Sequence, residues 1–514
     1  MATRRNVWEL ASDWADPILW YARGVAAMKA QGLAEPTSWR FYGAIHGIHP
    51  QLWALLGYLP QNEPQPSVAL QTQFWQQCQH GSWYFLPWHR GYLLAFEAVV
   101  RAEVAKLGGP GDWALPYWNY FKAGQAALPP AFASKDWPDG TGNNPLFVPQ
   151  RYGPQNDGNV VVPVALVNLN AMTDPDYTGV DNGGSAGFGG VDTGFAHSGD
   201  THGGIETQPH DWVHGLVGGA DPQSGLPGLM SNPDTAALDP IFWLHHANLD
   251  RLWEVWRRNP PTNVDPTEPR WLDGPASIGE RDFTMPMPSG QTWTFTPGQM
   301  ASLQALGYDY DDVSPAVPVP TPMARLLALG MRSAASAAFG GTVVKSGTNV
   351  EMIGASTGPV PIEGGEVTAA LKLDQAGRKK VSRSLSAAAA LTPATAKLQP
   401  DRVFLNLENV RGRSDATAFN VYVGVPSGAD PAKHPELLAG GIALFGVSKA
   451  SDAGNLHGGK GLNFVLEITD IVDRLHLQNA LDVGALSLRI VPVRPVPKAD
   501  QTSIGRISLF RQGH

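Results

Sequence analysis

Two stretches of sequence decide the fold of the first half of this chain: HGSWYFLPWHRGYLLAFE at residues 80–97 and DPIFWLHHANLDRLW at residues 239–253. In and after the first, apolar side chains recur at helical spacing, which predicts a helix over 88–107. The second predicts a helix over 240–258, because the proline pair 260–261 cannot continue it. Both helices carry histidines among apolar residues, so both are expected to be buried.

Working outward, two more helices and one long loop are expected in this half. Residues 39–58 read as helical, with a break at Pro50. Residues 206–217 predict another helix, whereas residues 177–204 are dominated by Gly, Asp, Ser and Thr and predict an irregular loop. The first half is therefore predicted to be a mainly α-helical bundle with long loops.

The second half has a different pattern. A Pro- and Ala-rich connector over 313–340 separates residues 1–312 from residues 341–514. Beyond it, short runs of alternating character bounded by turns predict strands at 403–407, 419–425, 462–468 and 486–493. We expect this C-terminal domain to be an antiparallel β-sandwich.

Composition and charge exclude several classes of protein. The chain has 514 residues, 43% of them hydrophobic, so it is long enough for about three domain-sized units. Its net charge is −9 and its basic residues form no long run, which argues against a nucleic-acid or anionic-membrane partner. Only 16% of residues are charged, against about 25% in a typical protein, while Gly and Pro are abundant. This balance favours a loop-rich globular protein.

Cysteine content and hydropathy narrow the class further. A single cysteine, Cys78, excludes an intrachain disulfide framework and a cysteine-based zinc cluster. No run of eighteen apolar residues exists, so no transmembrane helix is expected. Acidic residues follow Arg4 and Arg5 where an export signal would need an apolar run, and a cytoplasmic location is therefore expected.

Histidines form three clusters in the first 250 residues. His80 and His89 lie nine apart, and His210 and His214 lie four apart, on one face of a helix. The third cluster is the pair 245–246. Three clusters in apolar surroundings are hard to explain as satisfied core histidines, so a metal site is predicted. Imidazole suits copper, zinc, iron and nickel alike, and Asp211 stands where a helical zinc-protease motif needs Glu.

The two quoted stretches strongly resemble the two copper signatures of tyrosinases. Tyrosinases, catechol oxidases and molluscan-type haemocyanins share a dinuclear type 3 copper site, and the resemblance covers most of residues 36–260. It implies two copper ions with O2 as co-substrate. By this resemblance copper A would be held by His46, His80 and His89, and copper B by His210, His214 and His246.

Two of these assignments have neighbours that could replace them. His49 lies three residues after His46 and could share its helix face, although the family's Ile-His-Gly wording favours His46. His245 and His246 point roughly 100° apart on a helix, so only one should reach the metal. The family uses the second histidine of this pair, which is His246.

Cys78 occupies a Cys-x-His arrangement with His80. A lone cysteine is ordinarily a small buried hydrophobe. In fungal tyrosinases and molluscan haemocyanins, which this arrangement resembles, the sulfur is bonded to the imidazole carbon of that histidine. The resemblance therefore implies a thioether crosslink between Cys78 and His80.

Two carboxylates are candidates for proton transfer from a monophenol. Glu206 precedes His210 by four residues, which resembles the placing of the water-holding glutamate in plant-type members. Its alternative role is to complement a helix dipole. Asp211 stands where hydroxylating members often have Asn. A carboxylate there could still accept the proton of the water, but the departure bears on monophenol hydroxylation.

Access to the site is the last feature that the resemblance addresses. Many plant members place a Phe over copper A thirteen residues before the last copper B ligand, and here that position is Pro233, which predicts a more open site. The C-terminal part resembles the domain that follows the dicopper domain in plant polyphenol oxidases and haemocyanins. In those relatives one side chain plugs the copper entrance. Leu444 or Phe445 is the candidate here, with two ordinary core residues as the alternative.

The sequence thus predicts a tyrosinase-type polyphenol oxidase that converts small monophenols to o-diphenols and these to o-quinones. A catechol oxidase with little hydroxylase activity is the alternative within the class. A haemocyanin-like oxygen carrier is the alternative from another class, and a mononuclear zinc or iron protein would leave half of the histidines unexplained. The sequence does not decide whether the chain forms a homo-oligomer.

Overall fold

Two long helices form the centre of the N-terminal half in the computed structural model. The structure describes residues 1–140, 142–164, 166–258, 263–314, 325, 328–329, 349–389, 400–454, 458–478 and 484–513. Its helices up to residue 314 are α1 Asp16–Lys29, α2 Trp39–His46, α3 Pro50–Leu55, α4 Val68–Phe74, α5 Phe85–Lys106, α6 Pro130–Ala133, α7 Asp211–Gly218, α8 Pro240–Arg258, α9 Pro269–Asp273 and α10 Leu303–Leu306. Helices α5 and α8 pack against each other through the stacked rings of Phe96 and Trp243, with centroids 3.4 Å apart.

Local sequence explains where the helices near the histidines begin and end. The Ser38 hydroxyl accepts the Phe41 N–H and caps α2. Helix α2 ends at His46, and α3 begins at Pro50, so the break predicted at Pro50 is a gap over residues 47–49. The carboxylate of Asp239 accepts the Ile241 N–H at the start of α8. The helices predicted over 88–107 and 240–258 are confirmed, the first beginning three residues earlier than expected.

The predicted helix over 206–217 is interrupted. Residues Glu206–His210 form one wide π-helical turn before α7, and Gln208 within it is extended, with φ −145° and ψ 122°. Pro209 causes this interruption, because proline lacks an N–H and pushes the preceding residue out of the helical region. Because the helix is interrupted at Gln208, His210 does not continue the helical path of the residues before it.

Short strands complete this half. They are β1 Ala2–Arg4, β2 Thr178–Gly179, β3 Gly190–Val191, β4 Phe283–Pro286, β5 Thr292–Phe295 and β6 Tyr308–Tyr310. Strands β1 and β6 pair in parallel, β2 pairs with β3, and β4 with β5. Residues 177–204 are otherwise irregular, as predicted.

The C-terminal half is a single curled sheet. Its strands are β7 Asn349–Ser356, β8 Val360–Pro361, β9 Val367–Leu373, β10 Arg402–Arg411, β11 Ala418–Val423, β12 Leu438–Ala443, β13 Leu462–Glu467, β14 Ala485–Pro492 and β15 Ser503–Gly513, with helices α11 Gln375–Ala389, α12 Val447–Ala450 and α13 Thr469–Leu477. Hydrogen bonds follow the order β12-β11-β14-β9-β7-β15-β10-β13, every pair is antiparallel, and β8 pairs with β15.

The expected sandwich is therefore corrected. All nine strands in the described part of this half belong to one sheet, and its ends approach each other where Leu466 of β13 packs against Gly440 of β12. The domain is a nearly closed sheet around its own apolar core. Alternation predicted four of these strands and their antiparallel pairing, whereas the closure depends on contacts between β12 and β13 that no local pattern encodes.

The C-terminal domain packs directly on the histidine-bearing helices. Gly441 of β12 lies so close to the ring of Trp212 on α7 that a β-carbon there would be 2.1 Å from Trp212 Cζ2. The Gln208 side-chain amide donates to the Gly441 carbonyl at 3.2 Å. Most of the connector predicted over 313–340 lies outside the described residues. Among the described helices, none is both long and apolar enough to cross a membrane.

Candidate metal centre

Two groups of buried side chains adjoin where α2, α5, α7 and α8 meet. One contains His46, Cys78, His80 and His89, and the other contains His210, His214, His245 and His246. Within each group the potential ligand atoms lie within 4.8 Å of one another. The rings of His89 and His246 stack across the boundary with centroids 4.3 Å apart. The arrangement offers donors for two metal ions side by side.

Helices position five of the six predicted ligands. His46 is the last residue of α2, and His89 lies near the start of α5. His210 ends the π-helical turn, and His214 follows on α7. His246 lies on α8, which is buried on all sides from Pro240 to Trp256.

His80 is held instead by the long loop 177–204. Its N–H donates to the Ala196 carbonyl at 3.1 Å, and its carbonyl accepts the Gly199 N–H at 2.6 Å. The next residue, Gly81, has φ 57°, and a β-carbon on it would lie 2.5 Å from the Gly199 backbone. Only glycine fits this close approach, so two segments far apart in sequence hold His80 in place.

Hydrogen bonds leave a lone pair on most of these imidazoles. The Nδ1 atoms of His46, His89 and His214 lie 2.7–2.8 Å from the backbone carbonyls of Pro233, Phe85 and Met230 respectively. Each Nδ1 must donate, so each Nε2 carries an unprotonated lone pair in the neutral ring. The buried Nε2 atoms of His46 and His210 have no hydrogen-bond partner in the described structure. Such unsatisfied acceptors fit metal ligation, and the donor set suits copper.

Burial keeps these rings neutral. It lowers the pKa of His46 to about 4 and lowers those of the other five predicted ligands well below the ordinary value. A neutral imidazole is the form that binds a metal ion. The electrostatics of the centre therefore favour ligation at neutral pH.

The structure distinguishes His46 from His49 as a ligand, whereas His245 and His246 both lie near the centre. His49 is exposed, and its Nδ1 accepts the Leu52 N–H at the start of α3, so only His46 enters the centre. His245 and His246 both lie in the second group. His246 Nε2 faces His214 Nε2 at 3.3 Å, whereas His245 Nδ1 lies 3.3 Å from the Tyr120 hydroxyl. This contact draws His245 toward Tyr120.

Cys78 lies against two of the histidines. Its Sγ is 3.5 Å from both ring nitrogens of His80 and 3.3 Å from His89 Nε2. Burial raises the pKa of the thiol well above its usual value. Equal distances to Nδ1 and Nε2 are those expected of a sulfur facing the carbon between them.

Glu206 and Asp211 meet in a third buried group, together with His202. The Gly81 N–H donates to both oxygens of Glu206 at 2.9 Å. Asp211 accepts the Nδ1–H of His202 at 2.7 Å and that of His210 at 2.8 Å, one on each oxygen. Sequence reasoning missed His202, since it lies in the loop 177–204 where no periodicity marks a buried residue.

The charges of this third group are mutually dependent. Burial raises the pKa of Glu206 to about 7, against the opposing effect of His202. Burial also raises the pKa of Asp211. Burial lowers the pKa of His202, but the carboxylates of Glu206 and Asp211 raise it by more, to about 9. A protonated His202 thus lies between two carboxyl groups.

Phe445, rather than Leu444, reaches the histidines. Its ring stacks on His214 with centroids 4.2 Å apart and lies edge-on to His80 and His210 at 5.5 and 5.4 Å. Leu444 packs in the core of the C-terminal domain. Pro233 is buried beside this segment, and it contributes the carbonyl that orients His46. The more open entrance predicted from Pro233 stays a prediction, and in this structure the ring of Phe445 lies over His214.

Comparison with known families agrees with this architecture. Residues 36–188 and 159–259 match the model of the common central domain of tyrosinase. Residues 349–512 match a domain of unknown function, DUF7868. The two matched regions coincide with the helical half and the curled sheet.

Individual relatives extend the similarity to the whole chain. Tyrosinase HcTyr1 of Hahella sp. (strain CCB-MM4) is 33% identical, with all of both chains covered. Chloroplastic polyphenol oxidase of Malus domestica is 28% identical over 49% of this chain and 40% of its own. The fold is similar to that of latent apple tyrosinase, with a TM-score of 0.59 at 21% identity over 99% and 97% of the two chains. Because the similarity to the Hahella tyrosinase spans the full length, this chain belongs to the tyrosinase/polyphenol oxidase family.

Proposed function

We propose that this protein is a tyrosinase-type polyphenol oxidase that hydroxylates monophenols and oxidises o-diphenols to o-quinones with O2. One observation carries the proposal: two buried histidine groups adjoin, each with potential ligand atoms within 4.8 Å of one another. The Nε2 atoms of His46 and His210 are buried without a hydrogen-bond partner in the described structure. The family to which the chain belongs acts on phenolic substrates with O2, and the Hahella relative is named a tyrosinase.

The six histidines named from the sequence would hold two copper ions. His46, His80 and His89 would bind copper A, and His210, His214 and His246 would bind copper B. When bound, the copper pair supplies two-electron activation of O2 and open positions for a phenolate oxygen. The rings of Phe85 and Phe242 pack on the histidines at 4.6 and 4.1 Å and exclude water from the reacting atoms.

Glu206 is the group that would take the phenolic proton, directly or through a water molecule that it holds. Its pKa of about 7 lets the carboxylate accept a proton near neutral pH and return it later. The Gly81 N–H fixes both oxygens beside His80. Asp211 would orient the imidazoles of His202 and His210, since each of its oxygens accepts an N–H from one of them.

Phe445 would keep the enzyme latent. It lies on the same histidines that a substrate ring must approach, and it comes from the C-terminal domain. Displacement of that segment, by cleavage, detergent or domain movement, would admit substrate.

Two other functions have an observation in their favour. Asp211, which stands where hydroxylating members often have Asn, is hydrogen-bonded to His202 and His210, and this favours a catechol oxidase with little monophenolase activity. The ring of Phe445 over the centre favours a haemocyanin-like oxygen carrier.

Oxygen uptake by the copper-loaded protein, with a monophenol and its matching o-diphenol side by side, distinguishes these functions. Uptake with both is the expected result. Uptake with the diphenol alone indicates a catechol oxidase. The Phe445→Ala variant is measured in parallel, so that a covered centre is not mistaken for an inactive one. If wild type and Phe445→Ala both bound O2 reversibly but oxidised neither phenol, the oxidase proposal would be overturned.

A further inference from the structure

His202 lies at a junction between the two halves of the protein. It belongs to the loop 177–204, and only 3% of its surface is exposed. On one side its Nδ1–H donates to Asp211, and its Nε2 is 3.9 Å from Glu206 Oε1. The latter distance is too long for a hydrogen bond, so that contact is electrostatic.

Strand β13 of the C-terminal domain holds the other side of His202. The His202 N–H donates to the Asn463 carbonyl at 3.4 Å, and the Asn463 N–H donates to the Asp200 carbonyl at 2.7 Å. The ring of Phe464 packs edge-on against the imidazole with centroids 5.4 Å apart. A loop of one half therefore pairs with an edge strand of the other, and the imidazole is clamped between Phe464 and Asp211.

Asp211 connects His202 to the metal centre, because it accepts hydrogen bonds from both His202 and His210. Its two oxygens are held by different imidazoles, one from His202 and one from His210. Among the described contacts, His210 is the predicted ligand whose Nδ1–H donates to a carboxylate, whereas His46, His89 and His214 donate to carbonyls. A carboxylate partner fixes the tautomer of a ligand histidine and raises its basicity. Its rotamer must be held for this to work, and His202 holds it.

We propose that His202 is a positioning residue for the copper B side of the centre, and that the C-terminal domain supports it through Asn463 and Phe464. The assignment rests on the proposed copper function. It gives the C-terminal domain a second role: besides covering the centre with Phe445, the domain maintains the orientation of His210.

Copper affinity, rather than turnover, tests this assignment. The full-length protein is equilibrated with buffered copper, and the two dissociation constants are measured from copper bound per chain. His202→Leu keeps the volume but removes the donor to Asp211, and we expect one ion to bind about 10–100-fold more weakly while the other is unchanged. His202→Asn keeps an N–H near Nδ1 and should restore affinity to within about threefold of wild type.

Matched controls separate positioning from general damage. His434→Leu makes the same change at a half-exposed histidine that pairs with Glu436, and it should leave both affinities unchanged. If His202→Leu does not fold, Phe464→Leu replaces it, and this variant should weaken the same single ion by a smaller factor.

The outcomes also separate this inference from the proposed function. A wild-type protein that binds fewer than two copper ions would contradict the copper function itself. A wild-type protein that binds two, with variants of His202 and Phe464 that bind both as tightly, would overturn the positioning role alone. Equal weakening of both ions would do the same, because it would indicate a merely structural residue.

Discussion

At the scale of single residues, the centre depends on the second nitrogen of each imidazole. Pro233, Phe85 and Met230 offer backbone carbonyls, and Asp211 offers a carboxylate. Backbone carbonyls are available whatever the side chain, so the sequence around these positions carries little trace of the arrangement. The histidines themselves, in contrast, can be recognised from their sequence motifs and their spacing.

His46→Ala provides the first test at this scale. The variant should lose about one copper ion per chain. Changes to residues that only support a metal ligand typically lower activity by roughly 10–100-fold, and loss of a ligand itself should lower O2 uptake by more than that. Copper is measured by atomic absorption, and uptake with an oxygen electrode. His49→Ala is the control, because His49 is an exposed histidine three residues away. Two tightly bound copper ions in His46→Ala would contradict the ligand assignment.

Cys78 gives a second test by mass. Forming a bond between its sulfur and a ring carbon of His80 removes two hydrogen atoms, with O2 as the oxidant. After exposure to copper and O2, the intact protein should therefore be two hydrogens lighter than its sequence requires. Cys78→Ser, treated in the same way, should have the mass of its sequence. An unchanged wild-type mass would argue against the thioether.

At the scale of elements, a buried ion cluster ties α5 and α8 to the strands β1 and β6. Asp250 of α8 accepts from Arg90 of α5, from Arg4 of β1 at 3.1 Å and from Tyr308 of β6 at 2.7 Å. Both arginines are fully buried. No local pattern predicts Arg4 in this cluster, since its partners come from distant parts of the chain.

Asp250→Asn should therefore destabilise the protein by roughly 3 kcal/mol, because it removes the carboxylate that the two buried guanidinium groups share. Arg4 would keep only Glu97 as a charge partner, and Arg90 only Glu254. Urea unfolding followed by tryptophan fluorescence measures the change. Glu436→Gln removes a carboxylate from an exposed pair with His434 and should cost less than about 1 kcal/mol. A loss at Asp250 no larger than this control would contradict the role of the cluster.

We expect the stability difference between wild type and Asp250→Asn to depend on pH. Burial raises the pKa of Asp250, but Arg90 and Arg4 lower it by more, so that it lies below the ordinary carboxyl value of about 3.9. A lowered pKa contributes stability that is complete above the unfolded-state value and is lost as the pH falls through the folded-state value. The difference in unfolding free energy between wild type and Asp250→Asn should be constant from about pH 7 to 5 and shrink below about pH 4. A constant difference at acidic pH would exclude this electrostatic origin.

At the scale of the whole molecule, two apolar cores meet at the metal centre. Leu444 belongs to the core of the curled sheet, while the next residue, Phe445, belongs to that of the helical half. Lys449 follows in α12, and its ammonium bonds to Asp234 at 2.9 Å, next to the residue that orients His46. One short segment therefore covers the centre and is anchored beside it.

Phe445→Ala should uncover the centre. The apparent affinity for substrate is reduced by the fraction of molecules in which the ring occupies the site, so its removal should raise kcat/KM for an o-diphenol by roughly tenfold or more. Phe445→Leu retains an apolar side chain over the histidines and should stay mostly latent. Equal activity of wild type and both variants would mean that Phe445 does not limit access.

The sequence by itself determined the two long helices of the first half, four of the described strands of the second with their antiparallel pairing, and the histidines that converge. These features depend on local periodicity, capping and motif spacing, all of which are properties of short segments. It also narrowed the covering side chain to two adjacent residues. Those two point into different cores, and only the packing of the domains decides between them.

Only the tertiary structure decided the closure of the sheet and the partners of Asp211. His202 is the clearest case: it lies in a Gly-rich loop, and its role arises from β13, more than 250 residues away along the chain. Contacts of this kind form between segments that are brought together by burial of both cores. Their energies belong to pairs of distant residues, so no single stretch of sequence records them.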